Sequence, residues 1–195
     1  MKKFMLSSFA SLLALASLTA CGMQENNVQS KESTEVNSSK IAGEESRLFK
    51  MVDIYNAKKE KIGQAQLAET NEGVMIKLKA SNLPPGPHGF HIHETGKCVP
   101  PDFESAGKHF NPTDKKHGFE NPKGFHAGDL PNINVGKDGM ISVSVVSKHV
   151  TLQKGKPNSL LDEDGSALVI HEKADDYKTD PAGNAGDRIA CGVIK

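Results

Sequence analysis

The stretch from His88 to Asp129 constrains this chain more than any other. It holds six of the chain's eight histidines, and from residue 95 to 130 it shows no sustained period of 2 or of 3.6. A loop of that length without its own secondary structure is uncommon in a compact domain unless something else orders it. Its side chains suggest what does. His91-Ile92-His93 reads as extended, and residues two apart on a strand point to the same face. Both imidazoles then aim at one point while Ile92 enters a core, a ready chelate for a borderline-soft metal. His109, His117, His126 and Asp129 follow, and three imidazoles with a carboxylate are a closed tetrahedral set of the kind that holds structural Zn²⁺. Gly118, Gly124 and Gly128 allow the backbone to bend sharply around an ion. His171, at the end of the apolar run Leu168-Val169-Ile170, reads from the residues alone as structural.

The rest of the chain is punctuated like a β protein. With 18 Gly and 10 Pro among 195 residues, it favours a turn-rich β fold over a helical bundle. Alternation and turn signals predict strands over 47–56, 61–69, 74–80, 89–94, 132–135, 140–146, 166–171 and 188–194. Leu83 to Pro87 reads as a rigid connection rather than a strand, and Gly136-Lys137-Asp138-Gly139 as a hairpin turn. The expectation is an all-β sandwich or barrel of about eight strands with two long functional loops, 95–130 and 175–187. The formal net charge is zero, which gives no reason to expect a nucleic-acid partner.

The N-terminus reads as targeting sequence. Met1-Lys2-Lys3 is a basic start, Phe4 to Leu18 is uncharged and apolar, and Leu18-Thr19-Ala20-Cys21-Gly22 looks like a bacterial lipobox. Residues 1–20 are expected to be a signal peptide. Residues 21–46 then form a polar, flexible tether attached to the membrane by a lipid on Cys21, and residues 47–195 the folded domain. A plain signal peptide with an incidental Cys is the alternative. With Cys21 lipidated, Cys98 and Cys191 remain, and two cysteines in an oxidising compartment favour a bridge over free thiols. The location expected is extracytoplasmic, anchored to the cell membrane.

At this point a resemblance emerges. Gly89-Phe90-His91-Ile92-His93-Glu94, the segment around His109, the His117-Gly118 and Phe125–Leu130 segments, Val169–Asp176 and Gly183–Gly192 are similar, in order, to motifs of the copper/zinc superoxide dismutases. The resemblance runs from about residue 47 to the end. It implies an immunoglobulin-like, eight-stranded antiparallel Greek-key β-barrel. It implies one copper per chain held by His91, His93, His109 and His171, and one zinc held by His109, His117, His126 and Asp129, with His109 shared between them. Arg188 would draw in superoxide, and His109 would release one metal and carry a proton during the cycle. Asp175 would link a copper ligand to a zinc ligand, and Cys98 and Cys191 would form the disulfide. A copper-handling protein of the same fold without turnover is the runner-up. Against it stands Arg188, since a store has no need of an anion-attracting cation beside its metal. Lys108, immediately before His109, and the short loop between Asp176 and Arg188, which lacks a glutamate pair, depart from the family pattern, and Lys178 is the steering cation left in that loop. His88 reads as a structural hydrogen-bonding residue and His149 as a surface residue. The oligomeric state stays open, a homodimer included.

Overall fold

A computed structural model describes residues 48–195; the expected signal peptide, tether and lipid-bearing Cys21 lie outside them. The described chain is all-β apart from one 3-10 turn at Glu104–Ala106. Nine strands follow in order: β1 Phe49–Asn56, β2 Lys61–Thr70, β3 Gly73–Ala80, β4 Gly86–His88, β5 Phe90–His93, β6 Ile133–Val135, β7 Ile141–Ser147, β8 Ser166–His171 and β9 Arg188–Ile194. Seven form one antiparallel sheet in the order β5-β8-β9-β1-β2-β3-β7, and β4 pairs with β6.

One correction concerns residues 83–87. The segment read as a pure connection contains a short strand, because Gly86, Pro87 and His88 stand opposite Val135, Asn134 and Ile133. Pro is admissible there because the strand is short and at an edge. β4 and β5 are two halves of one extended run broken at Gly89, so the expected eight strands become nine. The break lets the halves pair differently, β4 with β6 and β5 with β8. The Gly136–Met140 turn joins β6 to β7, with the Gly136 amide donating to the Met140 carbonyl at 2.9 Å. The run from Gly86 to His93 is therefore the seam where the two ends of the curled sheet meet.

Alternation fixes what faces inward. Val52 and Ile54 of β1, Ala65 and Leu67 of β2, and Ile76 and Leu78 of β3 are buried in one core with Phe90 and Ile92 of β5 and Leu168 and Ile170 of β8. A Leu or Ile sealed in such a core contributes about 1.5–3 kcal/mol by burial. β5 is buried on both faces, its Phe90 and Ile92 on the core and its His91 and His93 under the long loops.

Those loops are ordered by β5 itself. The Ile92 amide donates to Gly128 O and the Phe110 amide to Ile92 O, both at 2.8 Å, and the Glu94 amide donates to Lys108 O at 2.9 Å. The 107–130 segment thus runs along the free edge of β5, with His93 opposite His109 and His91 opposite Asp129. Gly128 is required for that approach, since a Cβ there would overlap the Ile92 carbonyl. Cys98 and Cys191 form the expected disulfide, closing a sequence separation of 93 residues. In the chain-entropy view a loop of that length stabilises by about 4–5 kcal/mol.

Candidate metal centre

Four imidazoles converge from two strands and one loop. His91 and His93 come from β5, His171 from the end of β8, and His109 from the loop paired to β5. A bulge between Ile170 and His171 sets His171 opposite Arg188 on β9. The rings pack closely, with centroids 4.1 Å apart for His91 and His109, 4.9 Å for His93 and His109, and 4.9 Å for His91 and His171.

Hydrogen bonds assign the outer nitrogen of each ring. His91 Nε2 meets Asp175 Oδ2 at 2.8 Å, His93 Nδ1 meets Gly107 O at 3.0 Å, and His171 Nδ1 meets Gly186 O at 3.3 Å. A ring that donates from one nitrogen presents a lone pair on the other. Those other nitrogens, His91 Nδ1, His93 Nε2 and His171 Nε2, are buried without any hydrogen-bond partner, and so is His109 Nε2. Buried polar atoms are nearly always satisfied, and each orphan costs about 1–3 kcal/mol. Four orphans from four facing rings are the donor set of a bound metal.

The second cluster lies on the other side of His109. Asp129 Oδ1 is 2.9 Å from His109 Nδ1, 3.0 Å from His117 Nδ1 and 3.2 Å from His126 Nδ1. Its Oδ2 accepts the amides of Gly118 at 2.9 Å and His126 at 3.0 Å. Three imidazole nitrogens and one carboxylate oxygen suit tetrahedral zinc. His109 has Nδ1 in this cluster and Nε2 in the first, so one ring joins the two.

Asp175 spans both from outside, with Oδ2 on His91 and Oδ1 3.0 Å from His117 Nε2. Three residues that sequence reasoning missed hold this arrangement. Asn132 clamps the Asp175 backbone, accepting its amide and donating to its carbonyl, both at 2.8 Å. Gly183, at φ 63°, leaves room that a Cβ would take from Asp175 Oδ1 and His117 Nε2. Gly107 offers a carbonyl to His93 and also accepts Arg188 Nη2 at 2.8 Å, while Arg188 Nη1 donates to Phe103 O at 2.7 Å. None carries a titratable side chain, and although Gly107 and Gly183 lie within the motif segments, only the folded backbone reveals what they do.

Burial and charge divide the two clusters. Burial, then the neighbouring His91 ring, lowers His109 and His171 to about 3, and burial holds His91 low and His93 well below the usual histidine range. At neutral pH these rings are uncharged and able to ligate. Burial alone would also lower His117, but hydrogen bonds to Asp129 and Asp175 outweigh it and raise His117 to about 9. Asp129 and Asp175 lie far below the carboxylate range: burial opposes ionisation, and their histidine partners overcome it. His88 belongs to neither cluster; its nitrogens lie 2.8 Å from His171 O and 2.7 Å from Pro84 O. His149 is exposed against Phe125, and the Lys108 and Lys178 side chains are exposed.

An antiparallel β-barrel bearing two four-ligand centres joined through one imidazole defines a binuclear metalloprotein. Residues 61–194 match the family described as copper/zinc superoxide dismutase. The chain belongs to that family. It is 64% identical to superoxide dismutase [Cu-Zn] 1 of Aquifex aeolicus over 144 residues, 73% of this chain and 85% of that protein. It is 46% identical to the Caulobacter vibrioides superoxide dismutase [Cu-Zn] over 136 residues, 68% of this chain and 78% of that one. Among solved structures, a SOD-like protein from Bacillus subtilis is 50% identical with a TM-score of 0.74, covering 76% of this chain and 100% of that one. The Cu/Zn superoxide dismutase of Brucella abortus is 30% identical with a TM-score of 0.63, at the same coverage.

Proposed function

We infer that this chain is an extracytoplasmic superoxide dismutase. It would convert two superoxide anions and two protons to O₂ and hydrogen peroxide. Copper would be held by His91, His93, His109 and His171, and zinc by His109, His117, His126 and Asp129. Bound copper would supply one-electron redox chemistry toward superoxide, and zinc would have no redox role. The four orphaned ring nitrogens carry this reading, because nothing else in the fold accounts for them.

The chain's own residues supply the rest. Arg188 is half-buried and held by two carbonyls, so a fixed cation stands across the β8–β9 pair from His171 and attracts a small anion. His109, anchored at Nδ1 beside Asp129, can hold a proton at Nε2 on the copper side and give it up there. Asp175 fixes His91 with Nε2 outward and Nδ1 free. A lipid on Cys21 would tether the domain to the outside of the cell membrane, and a disulfide suits that oxidising location.

The test is metal content and dismutase rate on one preparation of residues 22–195 loaded with both metals. One copper and one zinc per chain with fast, copper-dependent superoxide loss is expected. Both metals bound without turnover would sink the enzyme reading in favour of copper handling.

A further inference from the structure

The strand ladders place an apolar band on the outside of the barrel. Phe49 stands opposite Ala68, Ala68 opposite Met75, and Met75 opposite Val146, one row crossing β1, β2, β3 and β7. Phe49 is 61% exposed and Val146 40%, Ala68 and Met75 between them are partly exposed, and Met51 (53%) follows Phe49 on the same face of β1. Singly exposed apolar residues need no explanation, but a contiguous row across four strands does. Polarity rises along the strands away from it. The next outward row is Met51, Gln66, Lys77 and Ser144, and the one after is Asp53, Gln64, Lys79 and Ser142. The opposite end of the same strands borders a groove that Arg188 lines. Asn56 at the end of β1, with Lys58 and Asn82 just past β1 and β3, lines this groove of about 770 Å³ together with Arg188. At about 3.3 Å per residue, β1 sets the band and that groove roughly 23 Å apart.

We propose that the Phe49–Ala68–Met75–Val146 band is a membrane-docking face that rests on the lipid surface and holds the Arg188 groove toward water. The inference rests on the reading of Cys21 as a lipid anchor. Three observations favour a bilayer over other occupants. The described chain starts at Leu48, beside the band, so the segment leading from Cys21 reaches the domain at this end. Residues 22–46 are polar and offer no apolar run to cover it. Lys77 and Lys79 stand behind the band, where long basic side chains reach anionic headgroups while apolar residues enter the interface.

Methionine oxidation tests this, because Met51 and Met75 lie in or next to the band and Met140, 57% exposed, lies beyond the β3 end near the groove. The full lipoprotein on phosphatidylglycerol–phosphatidylcholine vesicles is treated with dilute peroxide, and sulfoxide at each site is followed by mass spectrometry. Residues 22–195 in dilute solution are the reference. Docking predicts that vesicles slow oxidation of Met51 and Met75 several-fold and leave Met140 unchanged, and that Phe49→Ser reduces the protection. Equal rates with and without vesicles overturn docking while leaving the anchor standing. Protection that grows with protein concentration in solution shows the band covered by a second copy instead, and also overturns it. The intact mass reads acylation separately: an unacylated Cys21 removes the anchor and the docking with it.

Discussion

The two halves of the metal centre are built on different foundations. His91, His93 and His171 sit on β5 and β8, whose register is fixed by ladder pairs such as Ile92 with Leu168. His117, His126 and Asp129 sit on a loop whose order comes from edge pairing to β5 and from Asp129 itself. The first half is a preformed set of neutral rings, whereas the second, without its metal, is knitted together by a carboxylate and the His117 ring that it holds raised to about 9. Rigid strands position redox ligands, and a loop closed around an ion positions the shared ring His109. One cluster should therefore be lost by deleting a ligand, and the other by deleting the group that gathers the loop.

The sharpest break is on the strand side. His171→Ala should abolish dismutation while one zinc stays bound, as measured by activity and metal analysis; surviving activity would show the copper assignment to be wrong. Next is Asp129→Asn, which leaves three histidines without their shared anion. Removing one member of such a buried network costs about 3–5 kcal/mol. The variant should lose zinc, melt lower and exchange amide hydrogens faster over 107–130, with β5 and β8 protected. Uniform deprotection would erase the distinction between the halves. Arg188→Ala should come third, slowing the bimolecular reaction by about tenfold or more and flattening its ionic-strength dependence, with both metals retained.

The smallest effect concerns the metal-free protein. His109 and His171 are depressed to about 3, so their contribution to stability is present above about 6.5 and is lost as pH falls toward 3. His117 is raised to about 9, so its contribution is present below about 6.5 and is lost as pH rises through 9. The melting temperature of metal-free protein should peak near pH 6.5 and decline on both sides. His117→Gln should remove the alkaline decline and spare the acid one, measured by thermal unfolding across pH; an unchanged alkaline arm would detach that decline from His117.

The strands were legible because alternation is a local signal: Val52, Ile54, Leu67 and Leu78 all face inward as their spacing implies. His91-Ile92-His93 was legible for the same reason, with Ile92 sealed in the core between two rings turned outward. His171 was not legible from its own surroundings, since it closes an apolar run and the partner strand that carries His91 and His93 is remote in sequence; it entered through the family motif. The strand at Gly86–His88 was hidden because prolines read as connection, and its partner β6 is remote in sequence. Asn132, Gly107 and Gly183 were beyond reach for a deeper reason. They act through backbone groups or through the lack of a side chain, and spacing carries no trace of either.

The break at Gly89 has a consequence for how such a chain tolerates change. The same eight residues, 86–93, zip the barrel shut and carry two ligands, so closure and coordination share one reading frame. An inserted residue there would reverse the inside–outside parity of everything after it, turning His91 and His93 into the core and Ile92 out of it. Length variation can accumulate in exposed turns such as 153–157, but the seam admits only substitution.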